Sequence, residues 1–228
     1  MDENQLKAVL TKYFGEKTGN VTRETSKDEL KCIYDERSGT YDQEILAVGA
    51  AFHKPLAKCL HNALKEVLKD KPKDQIKIMD AGAGTGLIGP VELKKLDYTN
   101  LCALDISPGM LNEAKKKNVY NELICAPLSG HQIPQIKSGQ FDALISGGAL
   151  HEGRVSSSAF VEMIRMVRAN GLLCFNIWEG QLGDYQEMMR QLEKDGKWIC
   201  LSRETLPLFT AVDMPKECLG FVYKVLKN

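Results

Sequence analysis

A doubly wound, mostly parallel α/β sheet of seven strands is the fold class this sequence predicts, and three observations carry it. Short apolar runs alternate with helix-length segments through the middle of the chain. A glycine-rich turn, Gly82-Ala83-Gly84-Thr85-Gly86, directly follows the first of those runs. An aspartate, Asp105, ends the second run, roughly 20 residues past the first glycine. Buried strands joined by helical crossovers are what a parallel sheet covered on both faces requires.

The first 70 residues read as a helical cover and residues 71–228 as the sheet domain, together one structural unit. Segments 28–37 and 51–68 space their apolar residues by three and four, and Pro72 closes the second. Strands are expected at 77–81, 101–105, 123–125, 141–146 and 172–177. A helix is expected to begin near Gly86, with Pro90 tolerated in its first turn, where amides have no intrahelical acceptor. Ser107-Pro108 opens the next helix as N-cap and first residue, and Lys115, Lys116 and Lys117 finish it at the negative end of its dipole. Segment 185–194 is a further helix. Segments 198–203 and 220–227 have no helix between them, so they are expected to pair antiparallel at one edge.

Charge and cysteine usage exclude several functions. Thirty basic and 30 acidic residues give a formal charge of zero, so general nucleic-acid binding by counterion release is not expected. No run approaches the roughly 18 apolar residues of a bilayer span, and residues 1–14 lack the apolar core of a signal peptide. The seven cysteines are scattered, with no CxxC pair and no histidine cluster. A reducing cytoplasm or nucleus, free thiols and no metal site follow as expectations. Cys102, Cys125 and Cys174 fall inside strand-like runs and read as small buried hydrophobes.

The glycine turn carries the chemistry. Without a Cβ the chain bends sharply and a ligand approaches the backbone closely. A dinucleotide fingerprint needs G-x-G-x-x-G, whereas Leu87 stands at the last position and Gly86 comes one residue early. Asp80 adds a negative charge that suits a cationic ligand better than a pyrophosphate. S-adenosylmethionine has an ammonium, a sulfonium and no phosphate. Asp105 at the second strand tip suits a pair of ribose hydroxyls, and Met110, in the first turn of the following helix, is placed to cover an adenine.

These residues resemble a class I S-adenosylmethionine-dependent methyltransferase. The likeness runs through 80–86, ALDISPGML at 103–111, FDALISGGAL at 141–150 and MVRANGLL at 166–173. The chain is also similar to the Williams–Beuren syndrome chromosome region methyltransferase-like family over residues 34–198. That narrower likeness rests on Tyr34-Asp35, Tyr41-Asp42, GTGL at 84–87, SPGML at 107–111, GAL at 148–150, Tyr185 and the Leu192-Glu193, Gly196 and Trp198 stretch. It departs at Arg37, where that family carries an aromatic, and at His151, where it carries a small polar residue.

The resemblance implies S-adenosylmethionine as cofactor and S-adenosylhomocysteine as product. It implies that Asp80, Gly82, Ala83 and Gly84 line the methionine part, that Asp105 holds the ribose, and that Ile106, Pro127 and Leu128 flank the adenine. Ser146 at the fourth strand tip joins this set. Tyr34 and Tyr41 are candidate partners of the cofactor carboxylate, and equally suit anchoring a helix on the core.

Methyl transfer from a sulfonium is an in-line displacement that needs orientation and water exclusion, so the lack of a triad does not count against an enzyme. Where the acceptor must lose a proton, His151 is the candidate base, with Glu152 beside it; the alternative is a loop histidine without a role. His53, His61 and His131 are weaker candidates. Ser146-Gly147-Gly148 stands where amine methylases of bases and protein side chains carry Asn/Asp-Pro-Pro-aromatic, which favours a small-molecule acceptor. Acceptor specificity is expected from the N-terminal helices and the 180–184 loop. Two other readings remain: a protein that binds the cofactor or its product without turnover, and a nicotinamide oxidoreductase, which Leu87 and Asp80 disfavour. The oligomeric state is not legible.

Overall fold

The computed structural model describes residues 21–227 except Glu152 and Asp213, together with the Asp184 backbone but not its side chain. Residues 1–20 of the expected cover and Glu152, expected beside the candidate base, therefore lie outside the described residues.

Helices α1 (Lys27–Arg37), α2 (Tyr41–Ala47) and α3 (His53–Val67) precede the sheet. Strands β1 (Ile78–Ala81), β2 (Leu101–Asp105), β3 (Glu122–Cys125) and β4 (Phe141–Ser146) then alternate with crossovers that include α4 (Pro108–Lys116). Helix α5 (Ala159–Met166), β5 (Val167–Trp178), α6 (Gly183–Lys194), β6 (Trp198–Pro207) and β7 (Glu217–Val225) complete the chain. The seven strands lie in the order β3-β2-β1-β4-β5-β7-β6. Strands β1 to β5 pair in parallel, and β7 runs antiparallel between β5 and β6, the edge expected from the sequence.

Burial explains the order. Every residue of β1 and β4 is buried, as central strands covered on both faces must be. One face holds Leu104, Leu144, Phe160, Phe175 and Trp198; the other holds Ile78, Ile145 and Leu172 under α3. Leu56, Leu60 and Leu64 of α3 recur every four residues and are fully enclosed, each contributing about 1.5–3 kcal/mol by burial. Cys125 is exposed rather than buried, because β3 is the outermost strand and its tip lacks a covering layer.

Two expectations are corrected. No regular α-helix follows the glycine turn: a single π-helical turn, Gly89–Leu93, runs into a 3-10 turn, Lys94–Leu96. Pro90 has no amide to continue an α ladder, and the Ile88 carbonyl instead accepts the Glu92 and Leu93 amides, both at 2.9 Å. Strand β5 begins five residues before the expected 172, because Val167 pairs with Phe141 and a register shift follows. Asn170 takes a left-handed φ of 63° within that irregular stretch.

Among the described residues no helix is long and apolar enough to cross a membrane, and no group of three or more histidine, cysteine, aspartate or glutamate residues is arranged to hold a metal ion.

Candidate functional site

The crevice lies at the carboxyl ends of β1, β2, β4 and β5, where a doubly wound sheet opens between crossovers. Its floor is the glycine turn. Gly82, Gly84 and Gly86 have φ values of 72°, 55° and 81°, a left-handed run that side chains disfavour. A Cβ on Gly84 would meet nothing within 4 Å, so this face of the turn is open to a ligand; one on Gly82 would press to 2.5 Å of the Ala149 side chain.

Asp105 links the turn to the next helix. One carboxylate oxygen accepts the Gly84 amide at 2.8 Å and the other the Ser107 amide at 2.9 Å. Burial pushes its carboxyl above the usual range, the Ser107, Gly84 and Ile106 amides pull it back, and the nearby Asp35 adds to the rise. Ser107 caps α4 by accepting the Met110 amide at 3.0 Å and donates its hydroxyl proton to Asp35 at 2.5 Å. Asp35 also accepts the Gly109 amide at 2.9 Å, so α1 is fastened to the start of α4.

Asp80 is held by other groups. Tyr120 donates to it at 2.5 Å and the Gly89 amide at 3.1 Å. Burial raises its carboxyl to about 6 against those two bonds. Its partner Tyr120 carried no sequence signal, since the two residues lie 40 apart.

Two connected cavities fill the crevice. The smaller, about 80 Å³, is lined by Asp105, Ile106, Met110, Ala126, Pro127 and Leu128, with Leu30 and Lys27 from α1. The larger, about 370 Å³, is lined by Asp80, Gly82, Ala83 and Gly84 on one side and by Ile45, Phe52, His53, His151, Trp178, Leu208, Phe209 and Met214 on the others. Tyr34, Tyr41, Gly147, Gly148 and Arg154 face both. Of the twelve cofactor contacts and the first candidate base, His151, that the sequence names, all but one line these two adjoining cavities. Ser146 does not: its side chain is fully buried and its hydroxyl has no hydrogen-bond partner among the described residues. The Gly148 amide after it donates to the Asn176 side chain at 2.8 Å, which sets the bend of this wall.

The cover is pinned directly to the floor. Thr85 donates its hydroxyl proton to Asp42 of α2, while Lys117 bonds Asp42 at 2.8 Å and the Thr85 carbonyl at 2.6 Å. Tyr34 and Tyr41 meet edge to face with centroids 6.5 Å apart, and the Arg37 guanidinium lies 5.9 and 5.5 Å from their rings. Burial raises the Tyr41 phenol, with Tyr34 adding to the rise and both arginines opposing it.

Sequence reasoning missed several walls. The turn between β6 and β7 supplies Leu208, Phe209, Met214 and Pro215, and Phe209 bridges to Ala50 across the mouth. His53 stacks on Phe52 with centroids 4.1 Å apart and faces the larger cavity. Burial pushes its imidazole down to about 4, Asp42 opposing and Lys117 adding to the fall. His151 stacks on Trp178 at 6.3 Å with the Gln181 amide 3.2 Å away. His61, by contrast, pairs with Tyr98 outside the crevice, and exposed His131 lines neither cavity.

The residues present fit an adenosyl ligand: an open glycine turn, an acidic strand tip and an apolar slot of Ile106, Met110 and Leu128 meet in one groove. Comparison with known proteins agrees. Residues 79–175 match the family described as "Methyltransferase domain". The chain is 29% identical over 171 residues to the human protein "Methyltransferase-like protein 27", covering 73% of this chain and 66% of that relative, just under two thirds of its length. A TehB-like S-adenosylmethionine-dependent methyltransferase from Corynebacterium glutamicum shares the fold at TM-score 0.54 and 20% identity, over 86% of this chain and 98% of that one. Geranyl diphosphate C-methyltransferase from Streptomyces coelicolor, solved with Mg²⁺, geranyl diphosphate and S-adenosyl-L-homocysteine, shares the fold at TM-score 0.53 and 12% identity, over 75% of this chain and 77% of that one.

Proposed function

Because residues 79–175 match the family described as "Methyltransferase domain" and the chain shares the fold of S-adenosylmethionine-dependent methyltransferases, we propose that it is a class I enzyme of that kind and transfers the cofactor's methyl group to a small-molecule acceptor. The observation that carries this reading is the larger cavity. At about 370 Å³ it is within the range of small-ligand sites, it shares Tyr34, Tyr41, Gly82 and Gly84 with the adenosyl groove, and its walls are mainly apolar and aromatic. The Streptomyces relative in fold, which acts on geranyl diphosphate, supports the same acceptor class.

S-adenosylmethionine, when bound, supplies an electrophilic methyl group on a positively charged sulfur. Asp105 would hold the ribose, Ile106, Met110, Pro127 and Leu128 would enclose the adenine, and Gly82, Ala83 and Gly84 would line the methionine part. Asp80, ionised above its raised pKa of about 6, would supply negative charge to a cationic ligand in this crevice. Tyr34 and Tyr41 face both cavities from the cover, where their hydroxyls would meet the cofactor's carboxylate, the role that the resemblance implies for them. Thr85, Asp42 and Lys117 lock cover and floor together, which excludes water and fixes the approach of nucleophile to methyl. His151, stacked on Trp178, takes the acceptor's proton where one must leave.

A single-turnover assay tests the reading. The protein is loaded with methyl-labelled cofactor and mixed with a metabolite extract separated into small-molecule, protein and nucleic-acid fractions. Label in the small-molecule fraction is the expected outcome. Label confined to a macromolecular fraction would sink the acceptor class, and failure to bind S-adenosylhomocysteine in calorimetry would sink the cofactor assignment.

A further inference from the structure

Arg154 sits in the loop between β4 and α5 and lines both cavities. Its backbone is fixed from three directions. Its amide donates to the His151 carbonyl at 3.0 Å, and Lys27 of α1 donates to its carbonyl at 2.7 Å. One residue on, the Val155 carbonyl accepts the buried Tyr185 hydroxyl at 2.6 Å. A loop tied this way holds its side chain in place before any ligand arrives, which lowers the ordering cost of binding.

The side chain is charged, and no counter-ion faces it among the described residues. Its Nε is shielded from solvent and has no hydrogen-bond partner among the described residues, and no described carboxylate lies within ion-pair distance. Its guanidinium lies 5.9 Å from the Tyr34 ring centroid, an aromatic face that leaves the in-plane donors uncommitted. Arg37, the other arginine on this wall, differs in having Glu44 at 3.6 Å. Withdrawing a guanidinium donor from water without an acceptor costs free energy that a bound oxyanion recovers. A planar fork of N–H donors matches a carboxylate.

We propose that Arg154 is a carboxylate-binding residue at the junction of the two cavities. This rests on the methyltransferase reading above and names a ligand group for the same site. The carboxylate comes either from the methionine part of the cofactor or from an acidic acceptor. Arg154 holds and orients it; no bond is made or broken at the guanidinium.

Calorimetry on the full chain separates the sources. Wild type, Arg154→Met and Arg154→Lys are titrated with S-adenosylhomocysteine and with 5′-methylthioadenosine, which lacks the amino-acid end. Each is also titrated, when saturated with S-adenosylhomocysteine, with 3-phenylpropanoate and its neutral counterpart 3-phenylpropanol. If the cofactor supplies the carboxylate, Arg154→Met weakens S-adenosylhomocysteine by about 10- to 100-fold, leaves methylthioadenosine unchanged, and Arg154→Lys recovers part of the loss. If the acceptor supplies it, S-adenosylhomocysteine is unaffected, the wild type prefers the acid to the alcohol, and Arg154→Met abolishes that preference. Unchanged S-adenosylhomocysteine affinity with no preference for the acid overturns the proposal. So does equal weakening of both nucleosides, which marks a structural role. A wild type that binds neither nucleoside brings down the methyltransferase reading itself, and this proposal with it.

Discussion

The adenosyl groove and the larger cavity share Tyr34, Tyr41 and the glycine walls, yet they are assembled differently. The groove is made at successive strand tips: Asp105 ends β2, the bond joining it to Gly84 spans 21 residues, and Ser107 and Met110 follow within one helical turn. The larger cavity gathers segments from the whole chain: Ile45 and His53 from the cover, His151 from the β4 loop, Trp178 from the end of β5, and Phe209 and Met214 from the last hairpin. A ligand common to many proteins is recognised by local backbone geometry. The variable ligand is shaped by parts that only tertiary packing brings together.

The contrast predicts that the two cavities fail separately when mutated. The largest effect falls on the acceptor side. His151→Ala should lower the single-turnover rate by about 100-fold or more while S-adenosylhomocysteine affinity stays within twofold; a normal rate retires His151 as base. On the groove side, Asp105→Ala should weaken S-adenosylhomocysteine by about 1–3 kcal/mol in calorimetry, since it removes the proposed ribose partner and strands the Gly84 and Ser107 amides. Unchanged affinity would remove the ribose assignment and blur the division.

The smallest effect concerns pH. The folded pKa of His53 is lowered to about 4. Neutral His53 therefore contributes stability that is fully present above about pH 6.5 and is lost as the pH falls toward 4. Asp80, raised to about 6, works the other way: its contribution is present below the usual carboxylate range and is lost as the pH rises through 6. Denaturant unfolding of wild type and His53→Gln at pH 7 and pH 4 isolates the first effect, with wild type losing about 1–2 kcal/mol more than the variant on acidification. Parallel losses would mean that His53 already faces water and could accept a proton like an ordinary surface histidine.

The same contrast explains what could be read in advance. Strand positions, the antiparallel edge and the cap at Ser107 follow from periodicity and short-range chemistry, and they emerged with small shifts at their ends. Pro90 marks where an α ladder fails, but a missing amide does not say which wider turn replaces it. His53 reads from the sequence as only a weaker candidate base, because its place in the larger cavity depends on how α3 packs. Phe209 and Met214 belong to a turn whose sequence gives no sign of lying against Gly49 and Ala50. Tyr120 and Asn176 share that limit, each joined to its partner across tens of residues.

The contact between the last hairpin and the segment before α3 has a thermodynamic consequence. The Thr210 hydroxyl meets the Gly49 carbonyl across 161 residues, whereas the Asp105 tie closes a loop of 21. Loop closure grows with the logarithm of length, so the longer tie carries about 2 kcal/mol more chain entropy. That cost falls on folding rather than on local opening, so the seam is favoured only once β5, β7 and β6 have paired and brought its two ends together.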